Sequence, residues 1–258
     1  MPLVDSHSHV YLPEFDPDRP EMLERAEKEG VRKILMPAID RTTHESMLRI
    51  EAENPGLCFS MMGVHPCSVR ENPEPELEAA RSWLDKRKFR AIGETGLDQY
   101  WDKTFMAQQL KSFNEQISWA LEFDIPVVIH SRNAIDECIG VIRERQKGKL
   151  KGVFHCFSGS MEQAQQITEL GFYLGIGGVI TFKNAGLDII MQKTGLENVV
   201  LETDAPYLAP VPFRGKRNEC SYLKYVVEKL SQIHQLSPGE IADITTANSN
   251  KLFGDLEL

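Results

Sequence analysis

Eight apolar, strand-like runs recur along the 258 residues, each followed by a stretch with helical spacing, and this alternation restricts the fold more than any other feature of the chain. The runs are LVDSHSHV (3–10), VRKILMPAI (31–39), LCFSMMGVHP (57–66), FRAIGETGLD (89–98), IPVVIHSR (125–132), KGVFHCFSG (151–159), GFYLGIGGVI (171–180) and NVVLETDAP (198–206). Strands separated by helices pair in parallel through crossover connections. Eight such units in about 250 residues match a closed (β/α)8 TIM-type barrel better than an open doubly wound sheet. The open sheet is further disfavoured because no G-x-G-x-x-G follows the first strand, and GIGGVI lies late, inside a strand-like run. We expect one barrel domain over residues 1–258 with an additional C-terminal helix in SPGEIADITTANSNKLF, where Pro238 suits a first turn and Glu240 follows Ser237 by three.

Helix starts support the alternation. Asp18 with Glu21, Thr42 with Glu45, and Ser160 with Gln163 each place a side-chain acceptor three residues before Glu or Gln, the pattern of a capping box. After Asp102, apolar residues at Phe105, Met106, Leu110, Phe113, Ile117, Ala120 and Leu121 follow a period near 3.6 and predict a long amphipathic helix.

Charge and cysteine usage narrow the function classes. The net charge of -9 argues against a broad basic face that grips duplex nucleic acid, so a polyanionic substrate has to be recognised locally. The five cysteines, Cys58, Cys67, Cys138, Cys156 and Cys220, are odd in number and form no C-x-x-C pair, which predicts buried thiols in a reducing compartment. Neither a signal peptide nor an apolar run long enough to span a membrane is visible. A cytoplasmic protein without membrane association or an obligate protein partner is the expectation.

Barrel enzymes assemble their sites where strands exit at their C-terminal ends. His7, His9, His65, Glu94, His130, His155 and Asp204 all fall in the last part of a strand-like run, while the run interiors are almost free of ionisable groups. Alternation along a strand aims His7 and His9 at one side, with Asp5 behind them. Imidazoles and carboxylates converging from rigid elements are the donor set of zinc, manganese or iron, and magnesium suits the carboxylate-rich side. His7, His9, Glu94, His130, His155 and Asp204 are therefore the expected metal ligands.

The same residues lie in motifs that resemble one family. D-x-H-x-H at Asp5, His7 and His9, GVHP at 63–66, GETGLD at 93–98, HSR at 130–132, HCFSG at 155–159, ETDAP at 202–206 and RGKRNE at 214–219 together resemble the TatD family of metal-dependent deoxyribonucleases, within the amidohydrolase-like barrels. The resemblance covers the whole chain. It implies a barrel holding two divalent metal ions that hydrolyses phosphodiester bonds, acting from the 3′ end of single-stranded DNA or a short oligonucleotide. It also implies that His7 and His9 bind one metal with Asp204, that His130 and His155 bind the other, and that Glu94 bridges them, at the place where related C–N hydrolases carry a carbamylated lysine. The family more often has His before the Arg-Gly and Pro after the Asn-Glu, where this chain has Phe213 and Cys220.

Two metals about 3.5–4 Å apart can lower the pKa of a bound water and clamp phosphoryl oxygens during in-line displacement. Asp204 is then the expected catalytic group that orients the water and accepts its proton, with Glu94 the other catalytic carboxylate and Glu202 behind them. His65 reads either as a substrate-binding or leaving-group donor or as a structural histidine held by Pro66. Arg132, and Arg214 with Lys216 and Arg217 in the loop after the eighth strand, are expected to hold phosphate. Tyr100, Trp101 or Phe213 could stack on a base. No G-x-S-x-G or G-x-x-x-x-G-K-[ST] is present, so serine-esterase and nucleotide-hydrolase readings lack support. The other surviving readings are an amidohydrolase that cleaves a C–N or ester bond in a small molecule, and a non-catalytic metal-stabilised binding protein.

Overall fold

A computed structural model describes residues 2–256. The eight runs form eight short strands: β1 (Leu3–Asp5), β2 (Val31–Pro37), β3 (Cys58–Met61), β4 (Ile92–Asp98), β5 (Val127–Arg132), β6 (Gly152–Phe154), β7 (Tyr173–Ile176) and β8 (Val199–Leu201). Helices α1 (Arg19–Lys28), α2 (His44–Glu53), α3 (Glu74–Leu84), α4 (Met106–Phe123), α5 (Ile135–Arg145), α6 (Met161–Glu169), α7 (Leu187–Thr194) and α8 (Leu223–His234) follow them in turn, and α9 (Pro238–Phe253) ends the fold.

All ladders are parallel, and neighbouring strands are consecutive in sequence, β1-β2-β3 in one sheet and β4-β5-β6-β7-β8 in the other. A doubly wound sheet would reverse its strand order at a switch point, and this one does not. Backbone bonds outside the ladders join the two sheets on both sides. Met62 N donates to Ala91 O at 3.1 Å and Gly93 N to Met62 O at 3.0 Å, while Ser6 N donates to Leu201 O at 2.9 Å and His9 N to Ala205 O at 2.8 Å. The interior side chains show the same closure. Val4, Leu35, Met61, Ala91, Val128, Val153, Tyr173 and Val200, one from each run, form a buried cluster of their own. Their strand neighbours, such as Leu3, Ile34, Ile129 and Leu174, face the helices in a larger cluster. Period-2 alternation with both faces apolar is what a strand inside a TIM-type barrel requires.

The last helix has the expected capping box, with Ser237 Oγ accepting from Glu240 N. Its Leu252 and Phe253, with Leu256 beyond it, join the interior cluster and close the barrel at the end opposite the strand exits. The box at Ser160 and Gln163 also forms. The other two do not. Asp18 stands at the start of α1, but its carboxylate accepts from Arg25 and Arg217 instead, and α2 is preceded by Thr43, whose hydroxyl bonds to the Asp40 carbonyl.

Helix α4 is found where predicted, but with a narrower apolar face. Leu110 and Leu121 are exposed, whereas the polar Gln109, Ser112 and Gln116 are buried. Those amides bind backbone: Gln116 Oε1 accepts from Val64 N at 2.8 Å and its Nε2 donates to Val64 O, and Gln109 Oε1 accepts from Asp98 N at 2.9 Å. Two strand exits are thereby tied to one helix.

Candidate metal centre

Glu94 and His130 lie within strands β4 and β5, but the other candidate ligands sit just past strand ends. His7 and His9 follow Asp5, His155 follows Phe154, and Asp204 comes three residues after Leu201. Alternation nevertheless persists beyond β1, because Ser8 N bonds to Leu35 O on one side while His7 O accepts from Asp204 N on the other. Asp5, fully buried, accepts from Thr203 N and Thr203 Oγ1 and so couples the exits of β1 and β8. Gly96 is required by its neighbour: at φ 133° its missing Cβ leaves room for the His130 carbonyl oxygen. Asp204 itself has φ 56°, the left-handed region that Asp tolerates better than most residues.

Glu94 is the middle of the cluster, and its two oxygens face different partners. Oε2 lies 3.1 Å from His7 Nε2 and 3.7 Å from His9 Nε2. Oε1 lies 2.8 Å from His130 Nδ1, 3.0 Å from His155 Nε2 and 3.3 Å from His65 Nε2. Asp204 Oδ1 stands 3.5 Å from His9 Nε2 and 3.7 Å from His7 Nε2. Three overlapping triplets, His7–His9–Glu94, His7–His155–Asp204 and His65–Glu94–His130, each bring their ligand atoms within 4.8 Å of one another. Nitrogen and carboxylate donors without an intervening Lys or Arg fit a divalent cation.

Hydrogen bonds on the far side of the His9, His130 and His65 rings decide which nitrogen is available, whereas among the described residues Nδ1 of His7 and of His155 is buried without one. Tyr11 Oη donates to Pro37 O at 2.6 Å, so at 3.0 Å it accepts from His9 Nδ1–H, and His9 Nε2 keeps its lone pair. Asp98 Oδ2 holds His130 Nε2–H at 2.8 Å and leaves Nδ1 toward the centre. Glu202 Oε1 stands 3.4 Å from His155 Nδ1. A carboxylate or hydroxyl behind an imidazole is the usual outer partner of a metal-ligating histidine. His65 differs. Its Nδ1 accepts from Cys67 N at 3.0 Å, so the neutral ring carries its proton on Nε2 and presents a donor to the centre.

The titration of these groups follows from crowding. Burial pushes Glu94 upward, but the charges of His155, His65 and His7 and the hydrogen bond from His130 outweigh it and hold the carboxyl well below its usual range. Burial likewise pushes His155 down, and the opposing charges of Glu94 and Glu202 carry it well above an ordinary imidazole. His7 goes the other way, lowered by burial and by the charge of His155, whose ring stacks on it at 3.8 Å. Asp204 is lowered because the His9 hydrogen bond and the imidazole charges exceed the effect of burial.

Above the centre opens a cleft of about 790 Å³ whose lining includes His9, His65, Glu94, His130, Arg132 and Asp204. Arg214 and Lys216 also line it, and the Arg214 guanidinium stacks 4.5 Å from the Phe182 ring. Arg132 lies over Tyr100 at 3.9 Å and near Trp101, which lines the cleft and is 70% exposed. The remaining members of the expected patch are elsewhere. Arg217 pairs with Asp18 at 2.6 Å, and Phe213 stacks on Tyr222 at 4.2 Å. Among the cysteines, Cys58, Cys138 and Cys220 are buried, whereas Cys67 reaches the cleft wall and Cys156 is half-buried with its N–H donated to Glu202 Oε1 at 2.5 Å.

The chain is similar to known proteins over nearly its whole length. The family model described as TatD related DNase matches residues 4–254. The chain belongs to the TatD family. The uncharacterized metal-dependent hydrolase YabD of Bacillus subtilis is 36% identical over 252 residues, covering 97% of this chain and 98% of its own. The 3′-5′ ssDNA/RNA exonuclease TatD of Erwinia tasmaniensis is 29% identical over 246 residues, with 93% and 95% covered. The crystal structure of the TatD homologue YjjV from Escherichia coli superposes with a TM-score of 0.92 at 31% identity, covering 98% of both chains. This protein is thus a metal-dependent hydrolase of the TatD family with a TIM-type fold.

Within this TatD-family chain, sequence reasoning missed Tyr11, Asp98, Gln109 and Gln116. Asp98 had a signal, since it ends the GETGLD run two pleats beyond Glu94 and shares its face. Tyr11 lies two residues past His9, the spacing that separates His9 from His7. The two glutamines had none, because a polar residue on an amphipathic helix reads as solvated until its neighbours are known. Among the described residues, no helix is long and apolar enough to cross a membrane.

Proposed function

We propose that this TatD-family hydrolase cleaves phosphodiester bonds from the 3′ end of single-stranded DNA, with two divalent ions, zinc, manganese or magnesium, held by His7, His9, Glu94, His130, His155 and Asp204. The observation that carries this reading is the division of Glu94, one oxygen toward His7 and His9 and the other toward His130 and His155. The similarity to the 3′-5′ ssDNA/RNA exonuclease TatD of Erwinia tasmaniensis supports it. Bound divalent cations supply Lewis acidity, bringing the pKa of water toward about 7 and neutralising phosphoryl oxygens.

The chain's own groups do the rest. Asp204, ionised and at the edge of the cleft, orients the attacking water and takes its proton. His65 presents Nε2–H, fixed by Cys67 N, to a phosphoryl or leaving oxygen. Arg132, Arg214 and Lys216 bind strand phosphates, and the guanidiniums, already stacked on aromatic rings, lose little freedom in doing so. Trp101 offers a stacking face to a base.

The decisive experiment is digestion of end-labelled single strands by metal-stripped protein with zinc, manganese and magnesium restored in turn. Stepwise shortening from the 3′ end that chelator abolishes is the expected result, and Glu94→Gln is expected to lower it by about 10²–10³-fold or more. Full activity of folded Glu94→Gln would remove the assigned role of that residue. Turnover of amides or lactones with no strand cleavage would reassign the reaction.

A further inference from the structure

A second cavity, of about 690 Å³, opens from the same centre on the other side of Arg132 and Leu208. The two clefts share a floor of His130, His155 and Asp204. Beyond that floor their electrostatics diverge. The larger cleft adds Arg214 and Lys216 and no carboxylate except the buried Glu94 and Asp98. Arg132 lines both clefts; besides it, the second adds Asp136 and Glu137, from the first turn of α5, and no further Lys or Arg. Each acid is held by a neutral amide, Gln163 Nε2 donating to Asp136 at 2.8 Å and Gln99 Nε2 to Glu137 at 2.9 Å. The rest of its polar lining is small, with Ser131, Asn133 and Ser158. The positive ends of α5 and α6 would attract an anion, but α5 carries these acids and α6 its own Ser160 cap and Glu162.

We infer that the second cleft receives the terminal nucleoside with its free 3′-hydroxyl, while the upstream phosphates lie along Arg214 and Lys216. The inference rests on the phosphodiester reading above. A terminal nucleoside brings one phosphate, the scissile one, to the shared floor. Past that phosphate it offers only sugar hydroxyl and base edges, for which carboxylate, hydroxyl and amide groups are partners. The upstream strand adds a negative charge with every nucleotide and belongs in the basic cleft. In the reaction, the water oxygen bonds to phosphorus, the bond from phosphorus to the upstream 3′ oxygen breaks, and that oxygen ends with a proton. The products are a nucleoside 5′-monophosphate and a strand one residue shorter, again with a 3′-hydroxyl. A 3′-phosphate would instead set like charge against Asp136 and Glu137.

The test uses two 5′-labelled single strands, identical except for a 3′-hydroxyl or a 3′-phosphate, and the full metal-loaded chain. The wild type is expected to remove the first nucleotide about tenfold faster from the hydroxyl end, because like-charge juxtaposition disfavours the other. The ratio should grow at lower ionic strength, since these acids are exposed and screened. Asp136→Asn with Glu137→Gln should bring it to about threefold or less, each single substitution going part of the way. Equal rates at the two ends in the wild type, or a ratio that the folded variants leave unchanged, overturns the inference alone. Absence of cleavage of either strand with every metal overturns the phosphodiester reading and this inference together.

Discussion

At the residue scale, what distinguishes this cluster from a set of buried histidines is the assignment of ring protons. His9 and His130 each have an acceptor behind the ring, in Tyr11 and Asp98 respectively, so the nitrogen facing Glu94 is the one free to donate a lone pair, while Glu202 stands 3.4 Å behind His155. A tyrosine hydroxyl can accept because its own proton is committed to Pro37 O. Tyr11→Phe should therefore weaken metal binding by about 10–100-fold, the usual effect of removing such an outer partner. Competition against a chelating dye measures it, and an affinity unchanged in the variant would mean that something other than Tyr11 orients His9. His65 follows the opposite rule. With Nδ1 occupied by Cys67 N, His65→Asn should slow turnover while leaving metal content at the wild-type level, as measured by atomic absorption on the purified variant.

At the element scale, helix α4 is both a packing element and a clamp. Gln116 satisfies both the N–H and the carbonyl of Val64, immediately before His65. Gln116→Leu keeps the volume but leaves buried backbone groups without partners, and each such loss costs about 1–3 kcal/mol. Urea unfolding should show a lower midpoint with an unchanged slope, since the surface exposed on unfolding is the same. Helix α2 carries a titration of its own. His44, its first residue, is 2% exposed, and burial lowers its pKa from 6.5 to about 4 against the charge of Asp40. The folded protein holds it neutral where the unfolded chain would protonate it. Its contribution is whole above pH 6.5 and is lost progressively as pH falls from 6.5 toward 4. Melting temperature followed over that interval should fall more steeply in the wild type than in His44→Leu.

At the scale of the whole molecule, the barrel divides the labour between its ends. Helix α9 seals one end with Leu252 and Phe253 against the interior cluster, and the strand exits gather charge at the other. Phe253→Ala should cost about 3–5 kcal/mol, the range for truncating a buried aromatic, with no change at the distant cleft beyond that of lower stability. Crowding imidazoles around Glu94 also makes the fold a ligand-binding machine in the thermodynamic sense. Divalent cation that binds only the folded state raises stability by mass action, so chelator should lower the melting temperature of the wild type and leave that of Glu94→Gln nearly unchanged. Scanning calorimetry with and without chelator separates the two.

The fold was legible because a TIM-type barrel is periodic. Eight apolar runs alternating with helices imply parallel pairing, and the polar residues at run ends, from His7 to Asp204, already stood out against apolar interiors. Local chemistry was legible only where it was truly local, as in the capping boxes of Ser160 and Ser237. Asp18 and Thr42 have the same spacing, but Asp18 is claimed by Arg25 and Arg217, the latter nearly two hundred residues away, and an ion pair can outcompete a cap. Distance in sequence likewise hid Gln116 and the splitting of the cleft at Arg132 and Leu208. Strand period is set by the backbone and can be read one residue at a time, whereas a ring tautomer, a clamped amide and the sign of a cavity's charge depend on which side chains closure of the barrel brings face to face.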